Sequence, residues 1–223
     1  MSFIKLIRKK ISGMLSLEFR SNNIRNKIYN FRVKLLLPID NFNTWYQERR
    51  ADVIIISFPK CGRTWLRLMI GKAIETHFNL NNADILELTP LSKINDEIPS
   101  IFLNHEDSPE NKKASDLSKS KKKYKNKKII FLCRDPRDVL ISMYFQKKSR
   151  WKNYDGDLSE YISDDVGSLD TIIEYYNIWA RNKDKVKECL MIKYEDLHKN
   201  ANIELKKVLN FVNLKEISDD IIS

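Results

Sequence analysis

The chain is poor in several things, and each shortage excludes a class of protein. It has only three cysteines, Cys61, Cys133 and Cys189. They are scattered and odd in number, with no metal-type spacing, which fits a reducing compartment rather than a disulfide scaffold. No apolar run is long enough to cross a membrane. The opening residues, MSFIKLIRKKISGMLSLEF, lack the continuous apolar stretch and small-residue cleavage site of a secretory leader. No internal repeat is found. The order G-x-x-x-x-G-K-[ST] is absent, so the magnesium-binding hydroxyl of a nucleoside-triphosphate loop lacks its usual place. Gly71-Lys72 lies well inside a predicted helix and is followed by Ala73. Acids are outnumbered, with 30 Asp and Glu against 40 Lys and Arg, a net charge of +10.

What is present is an alternation of strands and helices. At 223 residues and 42% hydrophobic, one α/β domain with a sizeable core is expected. The pattern predicts strands at Val53–Ser57, Ser100–Leu103, Lys128–Cys133 and Leu190–Lys193. Helices are predicted at Thr64–His77, Pro136–Gln146, Leu169–Lys185 and Ile203–Val212. Such alternation implies a three-layer α/β fold, a central parallel sheet with helices on both faces. We expect a basic helical extension over 1–50 and the α/β domain over 51–223.

The most informative stretch is IIISFPKCGRTWL, Ile54–Leu66. A buried strand breaks at Pro59 and Gly62 and opens into a helix, a P-loop-like strand–loop–helix. Backbone N–H groups and the positive helix end then face the turn, and Lys60 adds a full charge there, which suits a phosphate or sulfate group. The bland alternative is a plain turn with an exposed lysine. A second site of the same kind is CRDPRDVLIS, after the apolar run KIIFLC. Arg134 sits at the strand's carboxyl end, where it can fork onto a phosphate. Asp135 reads as an N-cap, Pro136 as the first helical residue and Asp138 as a capping-box partner. Alternatively, Arg134 merely pairs with Asp135 or Asp138. In parallel sheets ligands bind at the carboxyl ends of strands, where both motifs lie.

FPKCGRTW resembles the 5′-phosphosulfate loop of sulfotransferases that use 3′-phosphoadenosine 5′-phosphosulfate (PAPS). CRDPRDVLIS is similar to that family's 3′-phosphate motif, LMIKYEDL to its later strand, and GSLDTIIEYYNIWARNK to the helix leading into that strand. The resemblance runs from about Val53 to the end of the chain. It implies a donor site made by Lys60, Cys61, Gly62, Arg63, Thr64 and Trp65 in the loop, with Arg134 and Ser142 on the 3′-phosphate. Tyr194 and Trp65 would lie near the adenine. It also implies that Lys60 stabilises the leaving oxygen and that 3′-phosphoadenosine 5′-phosphate (PAP) is the product, without any metal.

An acceptor hydroxyl needs a base, and the chain has three histidines. His77 reads as surface or core, and His198 as a cation near a helix C-terminus. His105 follows the apolar segment IPSIFLN and matches the family's catalytic histidine, which deprotonates the acceptor. The pattern departs at Leu103, where the family often carries a lysine. It departs again at Ser223, beyond which the family's C-terminal donor-closing segment would be expected. Cys61 invites a reading as a thiol of lowered pKa in an electropositive loop; a small packing residue is the preferred one.

Two segments carry much of the excess charge. The lysine- and serine-rich run 111–128 has no apolar periodicity and is expected as a solvated, disordered insertion. The alternative is that it steers an anionic acceptor; specific nucleic-acid binding has no supporting motif. In the N-terminal segment 1–19, Phe3, Ile4, Ile7, Ile11, Met14 and Leu15 share one helical face opposite Lys5, Arg8, Lys9 and Lys10. This helix either lies peripherally on an anionic membrane or docks on its own domain. The sequence thus points to a cytoplasmic enzyme with one reaction: sulfuryl transfer from PAPS to a hydroxyl on a sugar, lipid or small metabolite. A P-loop nucleotide kinase or other NTPase, and an inactive truncated relative, are the rival readings. Oligomeric state is not legible.

Overall fold

In a computed structural model describing residues 42–81 and 83–222, the run VIIIS forms β1 (Val53–Ser57), buried at every position. Strand β2 (Ile101–Asn104) lies beside it, with Val53 opposite Ile101. On its other side is β3 (Lys128–Cys133), followed by β4 (Glu188–Lys193). The order β2-β1-β3-β4 is parallel throughout. Consecutive buried residues along β1 and β3 mean that both faces of the sheet are covered, as parallel strands require.

The covering helices are amphipathic for identifiable reasons. Helix α1 (Arg63–His77) buries Leu66, Ile70, Ala73 and Ile74, a single face at helical spacing. The short α2 (Leu88–Leu91) follows. Helix α3 (Pro136–Phe145) starts as expected, with Asp135 accepting from the Arg137 N–H and Pro136 in the first turn. The capping box does not form: the Asp135 N–H donates to Glu195 Oε1 at 2.8 Å, and the Asp138 carboxylate pairs with Arg134 at 3.2 Å. Beyond Phe145 the chain continues as a π-helical turn, Gln146–Trp151. Helix α4 (Leu158–Ile162) carries a complete capping box between Asp157 and Glu160. Helix α5 (Leu169–Asn182) places Trp179 and Tyr175 against Phe131 of β3, with ring centroids 5.4 and 5.8 Å apart. Helices α6 (Tyr194–Lys199), α7 (Ala201–Phe211) and α8 (Asp219–Ile222) complete the order. Residues 47–222 group as one compact unit, and residues 42–50 are helical. The expected helix over 1–19 lies outside the described residues.

The lysine-rich segment differs from expectation. It is folded, in short 3₁₀ turns at Pro109–Asn111, Ala114–Asp116 and Lys122–Tyr124. Leu117 and Tyr124 enter the core, and the Tyr124 hydroxyl donates to Glu48 at 2.6 Å. Lys121 and Glu106 form an ion pair at 2.8 Å with both side chains only 2% exposed. Single apolar anchors and lysines paired with distant acids leave no periodic trace in a sequence. Among the described residues, no helix is long and apolar enough to cross a membrane.

Candidate active site

The carboxyl ends of β1, β2 and β3 open onto one cavity of about 670 Å³. Every site residue singled out from the sequence lines it except Cys61. After β1 the chain turns through Lys60 and Gly62, both with positive φ, 72° and 87°. Gly62 is the N-cap of α1, yet no side chain caps that helix and no acid lies in its first turn. The Trp65 N–H turns back to the Gly62 carbonyl at 3.0 Å, and the Arg63 and Thr64 N–H groups with the helix dipole suit an anionic ligand. Lys60 Nζ donates to Gln146 Oε1 at 3.1 Å. Its pKa is lowered by partial burial and by the nearby Arg150 and Arg134 cations. A loop that already repels its own lysine's proton is suited to receive negative charge.

Arg134 leaves β3 toward the same cavity. Its Nη1 donates to the Lys60 carbonyl at 3.3 Å, and its guanidinium lies 4.4 Å from the Tyr194 ring centroid. Its Nε is buried without a partner, an orphaned donor in a ligand-sized space. Ser142, one helical turn before Gln146, lines the same wall. Both sequence readings of Arg134 hold in part: it pairs with Asp138 and keeps a donor unused. The orphaned donor, the uncapped helix start and the positive loop fit a phosphorylated nucleotide. Trp65 packs edge to face against Tyr194 and His198, with ring centroids 5.9 Å apart in each pair. The last of these is the histidine expected near a helix C-terminus, and it is in the last turn of α6.

Cys61 points away from the cavity into the core. Burial pushes its thiol up to about 12, opposite to an activated cysteine, so the packing reading holds. Its Sγ lies 3.2 Å from the Tyr176 hydroxyl. That hydroxyl also donates to the Arg134 carbonyl at 3.0 Å and accepts from the Arg134 N–H at 3.2 Å. With its single proton on the carbonyl, the thiol is the donor in the third contact. One phenol on α5 thus ties the loop after β1 to the loop after β3, a role not visible in the block GSLDTIIEYYNIWARNK that contains it.

His105 follows β2 directly and lines the same cavity as Lys60 and Arg63. Its Nδ1 is 3.0 Å from the Ser57 carbonyl. A carbonyl only accepts, so Nδ1 carries the proton and Nε2 is left as a free acceptor. Burial, followed by the Arg63 charge, pulls the pKa down to about 4. The imidazole is therefore neutral across the physiological range, the form a base requires. Arg63 is itself held down to about 10, first by burial and then by Arg67. Sequence reading missed Pro59, Leu68, Glu110, Met143, Gln146 and Trp151 on the walls. Glu110 is partly buried, with Oε2 unpartnered and its pKa raised by burial. Trp151 is 50% exposed at the end of the π-helical turn, a geometry often found at functional sites. No group of three metal-ligating side chains gathers among the described residues.

Comparison with known proteins gives this arrangement a family. The sulfotransferase domain matches residues 50–223. Cytosolic sulfotransferase 8 of Arabidopsis thaliana is 26% identical over 203 residues, covering 80% of this chain and 59% of its own length. Sulfotransferase 4A1 of Homo sapiens is 26% identical over 193 residues, with coverages of 76% and 62%. A crystal structure of mouse sulfotransferase SULT7A1 complexed with PAP superposes with a TM-score of 0.52 at 21% identity. That match covers 78% of this chain and 61% of the mouse chain, and it establishes a shared fold. The chain therefore spans about three fifths of the length of these relatives.

Proposed function

This chain belongs to the sulfotransferase domain family, and from that premise we propose that it transfers a sulfuryl group from PAPS to a hydroxyl acceptor. The observation that carries the reading is one cavity shared by Lys60, Thr64, Arg134, Ser142 and His105, reached from three neighbouring strand ends. Family membership sets aside the nucleotide-kinase reading, which required a different loop order. Bound in the cavity, PAPS would supply the sulfuryl group and leave as PAP.

The residues divide the work by chemistry. The α1 N–H groups and the Thr64 hydroxyl hold the 5′-phosphate, and Arg134 with Ser142 hold the 3′-phosphate that separates PAPS from ATP. Trp65 and Tyr194 flank the base. His105 Nε2 takes the proton of the acceptor hydroxyl as that oxygen attacks sulfur. Lys60 meets the negative charge that develops on the leaving oxygen. Like phosphoryl transfer, the reaction asks the protein mainly for positioning and fixed charge. The acceptor is a sugar, lipid or small metabolite, and the setting is the cytoplasm, with peripheral membrane contact through residues 1–19 as a further part of the proposal.

The test is a thermal-shift titration of the full chain with PAP, against AMP and ATP-magnesium. PAP at a hundredfold its dissociation constant should add about 2.7 kcal/mol, a rise of several degrees. Stabilisation by PAP above both controls supports the donor site. A folded protein unmoved by PAP points to an inactive relative, and a response confined to ATP-magnesium overturns the reading.

A further inference from the structure

Directly after the proposed base, the chain takes an unfavourable path. Glu106, Asp107 and Ser108 have φ values of 49°, 68° and 48°, three consecutive left-handed residues without a glycine. Each is disfavoured by its Cβ, and such a run persists only where its surroundings over-determine it. The surroundings come from the lysine-rich segment. Lys121 Nζ pairs with the Glu106 carboxylate at 2.8 Å and also donates to the Ser118 carbonyl at 2.8 Å. The Trp179 indole donates to the same carboxylate at 3.0 Å, and the Lys121 ammonium lies 5.2 Å over its ring. Lys112 pairs with Asp107, and the Lys112 carbonyl accepts from the Gly167 N–H at 2.8 Å. The His105 carbonyl accepts from the Tyr175 hydroxyl at 2.9 Å.

A buried Lys–Glu pair returns little net stability, because desolvation of both charges offsets their attraction. What such a pair does supply is a fixed geometry. Lys121 cannot act on solvent or on an approaching polyanion, since its side chain is 2% exposed. We propose that Lys121 is a positioning residue, and that the lysine-rich segment is a clamp holding the His105–Ser108 turn. Through Glu106 it keeps the His105 ring on the Ser57 carbonyl, with Nε2 as the free acceptor. The catalytic meaning of this clamp rests on His105 being the base; the clamp itself is a statement about ring geometry.

The test reads the ring directly, by ¹⁵N NMR of histidine side chains in the full chain. The three histidine signals are assigned with His77→Gln and His198→Gln. In the parent chain, His105 should show the Nδ1–H tautomer and stay neutral down to about pH 5. In Lys121→Met, it should become a mixture of tautomers and titrate between about pH 5 and 7, toward the free value. If the orphaned carboxylate prevents folding, Lys121→Met/Glu106→Gln removes it while still cutting the tie, with the same expected result. A folded variant whose His105 tautomer and titration match the parent overturns the clamp. PAP stabilisation of the same samples is read separately, so a failed donor site and a failed clamp are told apart.

Discussion

The Tyr194 ring packs against Gly62 so closely that a Cβ at position 62 would lie 2.4 Å from Tyr194 Cδ2. This joins the end of β4 to the anion loop after β1. Gly62 also has φ 87°, where an added side chain costs roughly 1–2 kcal/mol. Gly62→Ala should therefore lower the melting temperature by several degrees and weaken PAP binding, both read by thermal shift with and without ligand. An unchanged PAP affinity would place Tyr194 outside the donor site.

Tyr176→Phe removes one hydroxyl and three contacts, those to Cys61 Sγ and to the Arg134 N–H and carbonyl. Leaving buried groups unpaired costs about 1–3 kcal/mol. The expected outcome is a lower urea midpoint together with weaker PAP binding, because both anion loops lose their common tie. Lower stability with PAP affinity intact would make Tyr176 a core residue only.

For Arg134→Ala, discrimination is the quantity to measure. A charge-assisted contact to a 3′-phosphate is worth about 1.5–3 kcal/mol, or roughly 10- to 150-fold in affinity. Calorimetry should show PAP binding weakened by that factor while AMP binding changes little. Equal losses for both ligands would remove Arg134 from the 3′-phosphate.

His105 gives stability a definite dependence on pH. Its folded pKa of about 4 is depressed below the unfolded value of about 6.5. Between these values the unfolded chain binds the extra proton, so stability rises with pH. The contribution is complete above about pH 6.5 and is lost as pH falls to about 4, at most roughly 3 kcal/mol. Urea unfolding across this window should be visibly flatter in His105→Gln. A parent chain with no slope there would show that the ring is solvated.

The parts legible in the sequence are those with local causes. Strands β1 and β3 announce themselves as apolar runs because both faces are covered. The start of α3 is written in Asp135 and Pro136, and the anion loop in Lys60 and Gly62. Strand β4 begins at Glu188, two residues before its expected start, because exposure at Glu188, Met191 and Lys193 breaks the apolar run. The segment 111–128 was illegible because its order comes from partners far along the chain, Glu48, Glu106 and Asp165. Glu110 and Trp151 likewise stand in the cavity wall through tertiary placement and belong to no short motif, while Tyr176 lies in the block GSLDTIIEYYNIWARNK with nothing local to mark its role behind the cavity.

The all-parallel register has a consequence for how the site comes into being. Among the described residues no strand pairs with a neighbour through a hairpin; Val53 must find both Ile101 and Lys128, and Lys128 must find Glu188. Long loop closures of this kind make folding slow relative to helical or hairpin-rich proteins of similar size. During synthesis, Lys60 emerges well before Arg134, and Arg134 well before Tyr194. The proposed donor pocket includes Tyr194 and so is complete only when β4, the last described strand, has joined the sheet; PAP binding, if it occurs as proposed, would report on completed folding of that sheet.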